Sequence, residues 1–178
     1  MPRVVITGGP GAGKTTLLAE LAAMGYPTVA ESARAMIAER LASGASPRPD
    51  WATFAGEILR RDIQKYLEHA HASTWVFFDR GVVEALAMTQ EVTPLPAREL
   101  EAMLAEYEFH RSVFVLPPWE SIYTTDAERD QSFAEAVAVH ARIVEWYTAC
   151  GYSLREVPRL PAPERARHVL RVLAEGDV

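Results

Sequence analysis

The sequence predicts an α/β protein in which the strands of a parallel sheet alternate with helices, and three observations predict it. Short, wholly apolar runs recur at residues 4–6, 75–78 and 113–116, as expected for strands buried on both faces. Stretches with apolar residues at helical spacing lie between them. Glycine and proline punctuate the junctions, as at Gly25, Gly44, Gly81, Pro94, Pro96 and Gly151. Such alternation implies a parallel sheet with helices on both faces. A chain of 178 residues is long enough for one domain with a sizeable core, taken as residues 1–178. Its 49% hydrophobic and 24% charged residues are ordinary for a globular protein.

The first strand is read at Val4 to Thr7 and runs into GGPGAGKTT. From Lys14 the pattern turns helical, with Leu17, Leu18 and Leu21 on one face and Gly25 as the stop. Tyr26 to Ala30 reads as a second short strand, followed by a helix from Ser32 to Ser43 that Gly44 ends. Pro47 and Pro49 mark a loop, after which Asp50 caps a long helix with Trp51, Phe54, Ile58, Ile63 and Tyr66 as its apolar stripe. The third strand, Trp75 to Asp79, ends on an acid, and Arg80 and Gly81 lead into another helix. A further helix reaches about His110, and Ser112 to Leu116 is the fourth strand. Residues 117–131 have mixed polarity and weak periodicity, which makes them a candidate lid. Ser132 and Glu135 form a capping box for a helix ending at Cys150. Tyr152 to Val157 is the fifth strand, Pro158 to Pro163 a loop, and the remainder a terminal helix.

A net charge of -6 leaves no electrostatic footprint for DNA or RNA. No apolar run approaches the roughly 18 to 20 residues of a membrane helix, and the expected setting is the cytoplasm. Cys150 is the single cysteine, which excludes an internal disulfide and a multi-cysteine metal site.

The pattern GxxxxGK[ST] is matched by Gly8, Gly13, Lys14 and Thr15, between a strand and a helix. Glycines let the backbone N-H groups of residues 9–16 (Gly9, Pro10, Gly11, Ala12, Gly13, Lys14, Thr15 and Thr16) curl around phosphates, Pro10 alone having no N-H. Lys14, one of only two lysines, reaches the β and γ phosphates, and the Thr15 hydroxyl ligates Mg²⁺. The positive end of the following helix adds attraction for the phosphate.

Asp79 stands at the carboxyl end of an apolar strand, where an acid holds magnesium, although it also precedes a helix and can serve as its cap. Arg80 beside it either stabilises phosphate or acceptor, or forms a structural ion pair. Glu31 follows the second strand and is a candidate to take the acceptor's proton, the alternative being an acid placed by a helix dipole. Arg34 is one turn on. Asp126, Glu128 and Arg129 occupy the candidate lid, with Arg129 the choice for charge neutralisation in phosphoryl transfer against a solvated turn. Trp119 is a candidate wall of the substrate pocket or a packing residue. His69 and His71 point to different faces of one helix, so they share no metal.

Taken together, GGPGAGKTTL, ESAR from Glu31 to Arg34, FFDRG from Phe77 to Gly81, VLPPW from Val115 to Trp119 and DAERDQSF from Asp126 to Phe133 resemble one family. It is the group of predicted P-loop ATPases, AAA-type in label, related to the nicotinamide riboside kinase domain of bacterial NAD-regulating proteins. The closing GYSLREVP also fits. The resemblance implies a three-layer α/β/α P-loop fold, a five-stranded parallel sheet with kinase-like strand order 2-3-1-4-5, and binding of ATP or GTP with Mg²⁺. Deoxynucleoside kinases look similar at Glu31 and at the Asp79 and Arg80 pair, which implies a small hydroxyl acceptor. No residue marks a nicotinamide pocket.

The leading reading is therefore an enzyme that transfers the γ-phosphoryl group of ATP or GTP to a small molecule. The alternative is a nucleotide-dependent switch or an ATPase acting through a protein partner. Against a GTPase switch, no NKxD segment occurs and Asp79 is followed by Arg80, Gly81 and Val82 rather than DxxG.

Overall fold

The computed structural model describes residues 2–46, 49–123 and 132–176. They group into two compact units, one formed by Met1–Val29, Ser73–Asp79 and Phe109–Val178, the other by Ala30–Ala72 and Arg80–Glu108.

The first unit holds the whole sheet. Strands β1 (Arg3–Gly8), β2 (Thr28–Val29), β3 (Val76–Asp79), β4 (Ser112–Leu116) and β5 (Ser153–Glu156) line up in the order β2-β3-β1-β4-β5. Every pairing is parallel, and the order is the one that the family resemblance implies. The run VVI inside β1 is buried because it is the central strand. Val4 and Ile6 point to one face, where they pack with Phe77, Phe114 and Leu116 of the neighbouring strands. Leu17, Leu18 and Leu21 of α1 (Lys14–Ala23) and Ala166, Val169 and Leu173 of α7 (Ala162–Glu175) cover that face. Helix α6 (Phe133–Ala149) lies against β1 and β5 and buries Ala136, Ile143 and Tyr147. Its capping box is formed as the sequence predicts: Glu135 N-H donates to Ser132 Oγ at 3.3 Å, and Ser132 N-H to Glu135 Oε2 at 2.6 Å.

The second unit is helical: α2 (Ser32–Ala42), α3 (Trp51–Glu68), α4 (Val82–Val92) and α5 (Ala97–Glu106). Met36, Phe54, Ile58 and Ala85 form its core. Asp50 caps α3 by accepting the Thr53 N-H at 3.0 Å.

The structure corrects several boundaries. The stripe of α3 is Phe54, Ala55, Ile58, Asp62 and Tyr66, whereas Trp51 is 44% exposed and Ile63 is only half-buried. The stripe thus advances by four residues and carries an acid. Helix α5 stops at Glu106, not near His110. Phe109 is instead drawn into the sheet unit, where its ring meets Phe78 edge-on at 5.2 Å, and His110 N-H donates to Arg3 C=O. The last loop ends at Pro161, since Pro163 sits in the first turn of α7, where a missing N-H costs nothing.

Candidate functional site

The chain leaves β1 at Gly8 and enters α1 at Lys14, so residues 8–13 form a loop at the carboxyl edge of the central strand. Gly13 takes φ +86° immediately before the helix, a left-handed conformation that side chains resist. Space is as restrictive as torsion. A Cβ at Gly9 would lie 2.6 Å from the Ala136 carbonyl, and one at Gly11 would run into the Tyr123 ring. Tyr123 in turn packs edge-on against Phe133 at 5.5 Å. Lys14 is 7% exposed, and its ammonium donates to the carbonyls of Gly8 at 3.1 Å and Gly9 at 3.3 Å. Its charge is therefore held across the loop, with Thr15 and Thr16 at the surface beyond it.

Asp79 is the last residue of β3 and pairs in register with Ile6, two residues short of Gly8 on the adjacent strand. Asp79 is 9% exposed at the end of an otherwise apolar strand. A carboxylate and a hydroxyl are hard oxygen donors, so Asp79 and Thr15 fit the demands of Mg²⁺, which prefers one or two such ligands plus phosphate oxygens.

In the helical unit, Arg80 follows Asp79 in the chain and adopts φ +66°, uncommon for a residue with a side chain and carrying a cost of order 1 to 3 kcal/mol. That backbone turn accompanies a double ion pair. Arg80 Nε lies 3.2 Å from Glu31 Oε1, and its Nη1 bonds Glu84 Oε2, one turn along α4. Glu31 stands at the N-cap of α2 but makes no side-chain cap bond there. Its carboxylate is paired with Arg80 while it stands at the start of the helix.

A second network lies in the same unit. Lys65 Nζ donates to Ser32 Oγ at 2.8 Å and to the Ala30 carbonyl at 2.7 Å, and Ser32 Oγ donates to Asp62 Oδ1. Asp62 is 8% exposed, and burial raises its pKa to about 6, against the Ser32 hydrogen bond and the Lys65 charge. Glu84 and Glu31 push it further up by repulsion.

The sequence pattern of the AAA domain family matches residues 3–165, which takes in the loop, both acids and all five strands. The chain belongs to the AAA domain family.

Three solved structures share the fold of this AAA domain. Deoxyadenosine kinase from M. mycoides, with the products dcmp and a flexible dcdp bound, aligns with a TM-score of 0.67 at 14% identity, over 97% of this chain and 99% of that one. The NadR protein in complex with NR gives a TM-score of 0.64 at 16% identity, over 97% of this chain but 50% of that one. Shikimate kinase from Acinetobacter baumannii in complex with shikimate gives 0.59 at 16% identity, over 100% and 96%. None of the curated proteins matches in sequence. At these identities the likeness shows a P-loop kinase-like fold.

The remaining expected residues of the AAA domain distribute as follows. Arg34 is half-buried one turn beyond Glu31. Trp119 stands with the sheet unit, its ring 5.8 Å from the Arg165 guanidinium. Arg129, with Asp126 and Glu128, lies outside the described residues, as does most of the candidate lid. His69 Nδ1 bonds the Lys65 carbonyl at 2.8 Å, and the described residues contain no His, Cys, Asp and Glu group suited to a metal. Cys150 ends α6 half-buried, and burial raises its thiol pKa, which suppresses thiolate chemistry.

Sequence reasoning missed Glu84, Asp62, Ser32, Lys65, His140 and Arg165. Two of these were readable: Glu84 interrupts the apolar VVEALAM, and Asp62 falls on the four-residue stripe Phe54, Ile58, Asp62, Tyr66. His140 carries no such mark, yet its Cβ lies 3.6 Å from where a Gly9 Cβ would stand. Burial lowers its pKa below the usual histidine value.

Proposed function

We propose that this AAA domain is a nucleoside-triphosphate-dependent kinase that transfers the γ-phosphoryl group of ATP or GTP to a hydroxyl of a small acceptor. The observation that carries the reading is the loop at Gly8 to Lys14, its lysine drawn across the mouth, with Asp79 at the end of the neighbouring strand. In this reading the backbone N-H groups of residues 9–16 and Lys14 hold the β and γ phosphates. Thr15 and Asp79 hold Mg²⁺, which neutralises charge on the phosphates when bound. Glu31 accepts the acceptor's proton as its oxygen bonds to the γ phosphorus and the bond to the β-γ bridging oxygen breaks, leaving the nucleoside diphosphate.

Arg80 supports a neutral acceptor. An arginine already bound by two carboxylates, Glu31 and Glu84, is poorly disposed to receive an anionic group. The pair holds the Glu31 carboxylate in one orientation, as a base requires. Kinases for deoxyadenosine and shikimate share the fold, and the NadR structure holds NR, so nucleosides, ribosides and cyclic polyols are the first acceptors to screen.

The experiment is a nucleoside-diphosphate release assay with ATP or GTP and Mg²⁺, run with and without each acceptor. Slow release alone and much faster release with one hydroxyl compound, together with its phosphorylated product by mass spectrometry, is the expected outcome. Stimulation by no small molecule, with stimulation by a protein fraction instead, would move the reading to a switch.

A further inference from the structure

We infer that Arg165 is a positioning residue for phosphate binding: from behind the loop it fixes the peptide planes of Ala12 and Gly13 and adds a positive charge that no carboxylate of the described residues balances and that an incoming polyphosphate would. The inference rests on the reading of residues 8–16 as a polyphosphate site and goes beyond it by assigning a residue outside the loop motif.

Arg165 lies in the first turn of α7 and is 5% exposed. Its Nη1 donates to the Ala12 carbonyl at 3.4 Å and the Gly13 carbonyl at 3.5 Å, contacts at the long limit of hydrogen bonding. The guanidinium carbon sits 5.8 Å from the centre of the Trp119 ring, within cation-π range. Nε-H is buried and, among the described residues, has no acceptor. No carboxylate of the described residues pairs with it, and burial lowers its pKa.

Such a group is expensive for folding alone. With no anion beside it among the described residues, the buried cation loses hydration that two stretched carbonyl contacts restore only in part. Its location adds to the cost, since α1 begins at Lys14 and its N-terminus already carries positive partial charge. A structural arginine belongs at the other end of a helix. A phosphate ligand reverses the sign of each of these terms.

The geometry also orients the loop. In a trans peptide the C=O of one residue and the N-H of the next point in opposite directions. Drawing the Ala12 and Gly13 carbonyls towards Arg165 therefore turns the N-H groups of Gly13 and Lys14 away from it, towards the side on which a phosphate binds. Leu17 N-H completes the fixation by donating to the same Gly13 carbonyl at 3.1 Å. A Cβ at Gly13 would stand 2.8 Å from Arg165 Nη1, so a side chain there would push the guanidinium aside in addition to straining the φ of +86°.

The test is titration calorimetry of the full chain with Mg²⁺-ATP and with inorganic tripolyphosphate plus Mg²⁺, together with melting of the ligand-free protein. Arg165→Met keeps length and apolar packing but removes charge and fork. It should bind both ligands about tenfold or more weakly, as expected for loss of a charge-assisted term. Its ligand-free melting temperature should be equal to or above that of the unsubstituted protein. A residue with a packing role alone gives the reverse, a lower melting temperature with affinity intact, and that result overturns the inference. Should Arg165→Met fail to fold, Arg165→Lys decides: it retains charge and stem without the fork, and affinity equal to that of the unsubstituted protein overturns the inference while a several-fold loss upholds it. If the unsubstituted protein binds neither ligand, the polyphosphate reading itself falls. Binding that both variants match rejects only the role given to Arg165.

Discussion

Glu31 and Arg80 meet at 3.2 Å, and Arg80 also holds Glu84, so one arginine joins the start of α2 to the first turn of α4. The relation gives the Glu31 carboxylate a fixed orientation without using it as a helix cap. Glu31→Gln keeps size and a hydrogen-bonding oxygen but removes the negative charge. Transfer to the acceptor should fall by roughly 10²- to 10⁴-fold, the usual worth of positioned proton transfer. Nucleotide affinity and background hydrolysis should stay within about twofold, since no part of the phosphate loop changes. Steady-state rates with acceptor, set beside calorimetry, check both. A Glu31→Gln protein with full transfer rate leaves the proton to another group.

Lys14→Ala should abolish turnover and weaken triphosphate binding at least tenfold. The sequence alone suggests an exposed lysine whose removal spares stability. In the structure it is buried and donates to Gly8 and Gly9, so its loss frees two carbonyls and should also destabilise the protein by about 1 kcal/mol. Denaturant unfolding with the nucleotide absent measures this directly. An unchanged midpoint would mean that water replaces the ammonium at no cost.

The legibility of the chain follows the range of its interactions. Strands β1, β3 and β4 could be read because a parallel sheet buries both faces of its inner strands and writes continuous apolar runs such as VVI and VFVL, whereas the edge strands β2 and β5, TV and SLRE, are only partly buried and write none. The strand order came through resemblance, since pairing between strands distant in sequence leaves no local pattern. The loop at Gly8 to Thr15 was legible for a similar reason, its spacing being imposed by backbone geometry within eight residues. Glu31 and Arg80 were each singled out, but their ion pair was not, because they stand 49 positions apart in sequence. Arg165 was invisible altogether: it meets Ala12 across 153 positions, and in the sequence it is one arginine among several on a polar helix.

Asp79→Asn should separate metal from nucleotide. The substitution preserves shape at the end of β3 but removes the charge that favours a divalent ion. Background hydrolysis and transfer should fall together, with the magnesium concentration for half-maximal rate rising about tenfold or more. Titrating Mg²⁺ at saturating ATP provides the measurement. A normal magnesium profile would displace Asp79 from the metal role and leave it as a structural acid.

Asp62 gives the clearest pH dependence of stability. Its pKa stands at about 6 in the folded protein against 3.8 for an aspartate in water, with burial as the main cause, so the folded state holds the proton more tightly than the unfolded chain. Between these two values the folded state has more protons bound, and stability falls as pH rises through the window, then levels off above about 6. The difference corresponds to roughly 3 kcal/mol at most, lessened by whatever relaxation lets water reach the carboxylate. The groups facing Asp62 set the size of the effect: Ser32 and Lys65 stabilise the carboxylate, while Glu84 and Glu31 oppose it. Asp62→Asn retains the oxygen that Ser32 bonds and cannot ionise. Its stability should therefore match the unsubstituted protein near pH 4 and exceed it by about 1 to 3 kcal/mol above pH 7. The quantity to follow is the difference between the two curves. Glu57, held down to about 2 by Arg60 and Arg61, loses its contribution as pH falls below 4.5, and this sloping background is common to both proteins. Urea unfolding from pH 4 to 8 supplies the curves. A difference that stays flat across the range, or one in which Asp62→Asn is the less stable protein at pH 7, would show that the Lys65 and Ser32 contacts more than offset burial and that Asp62 is ionised throughout.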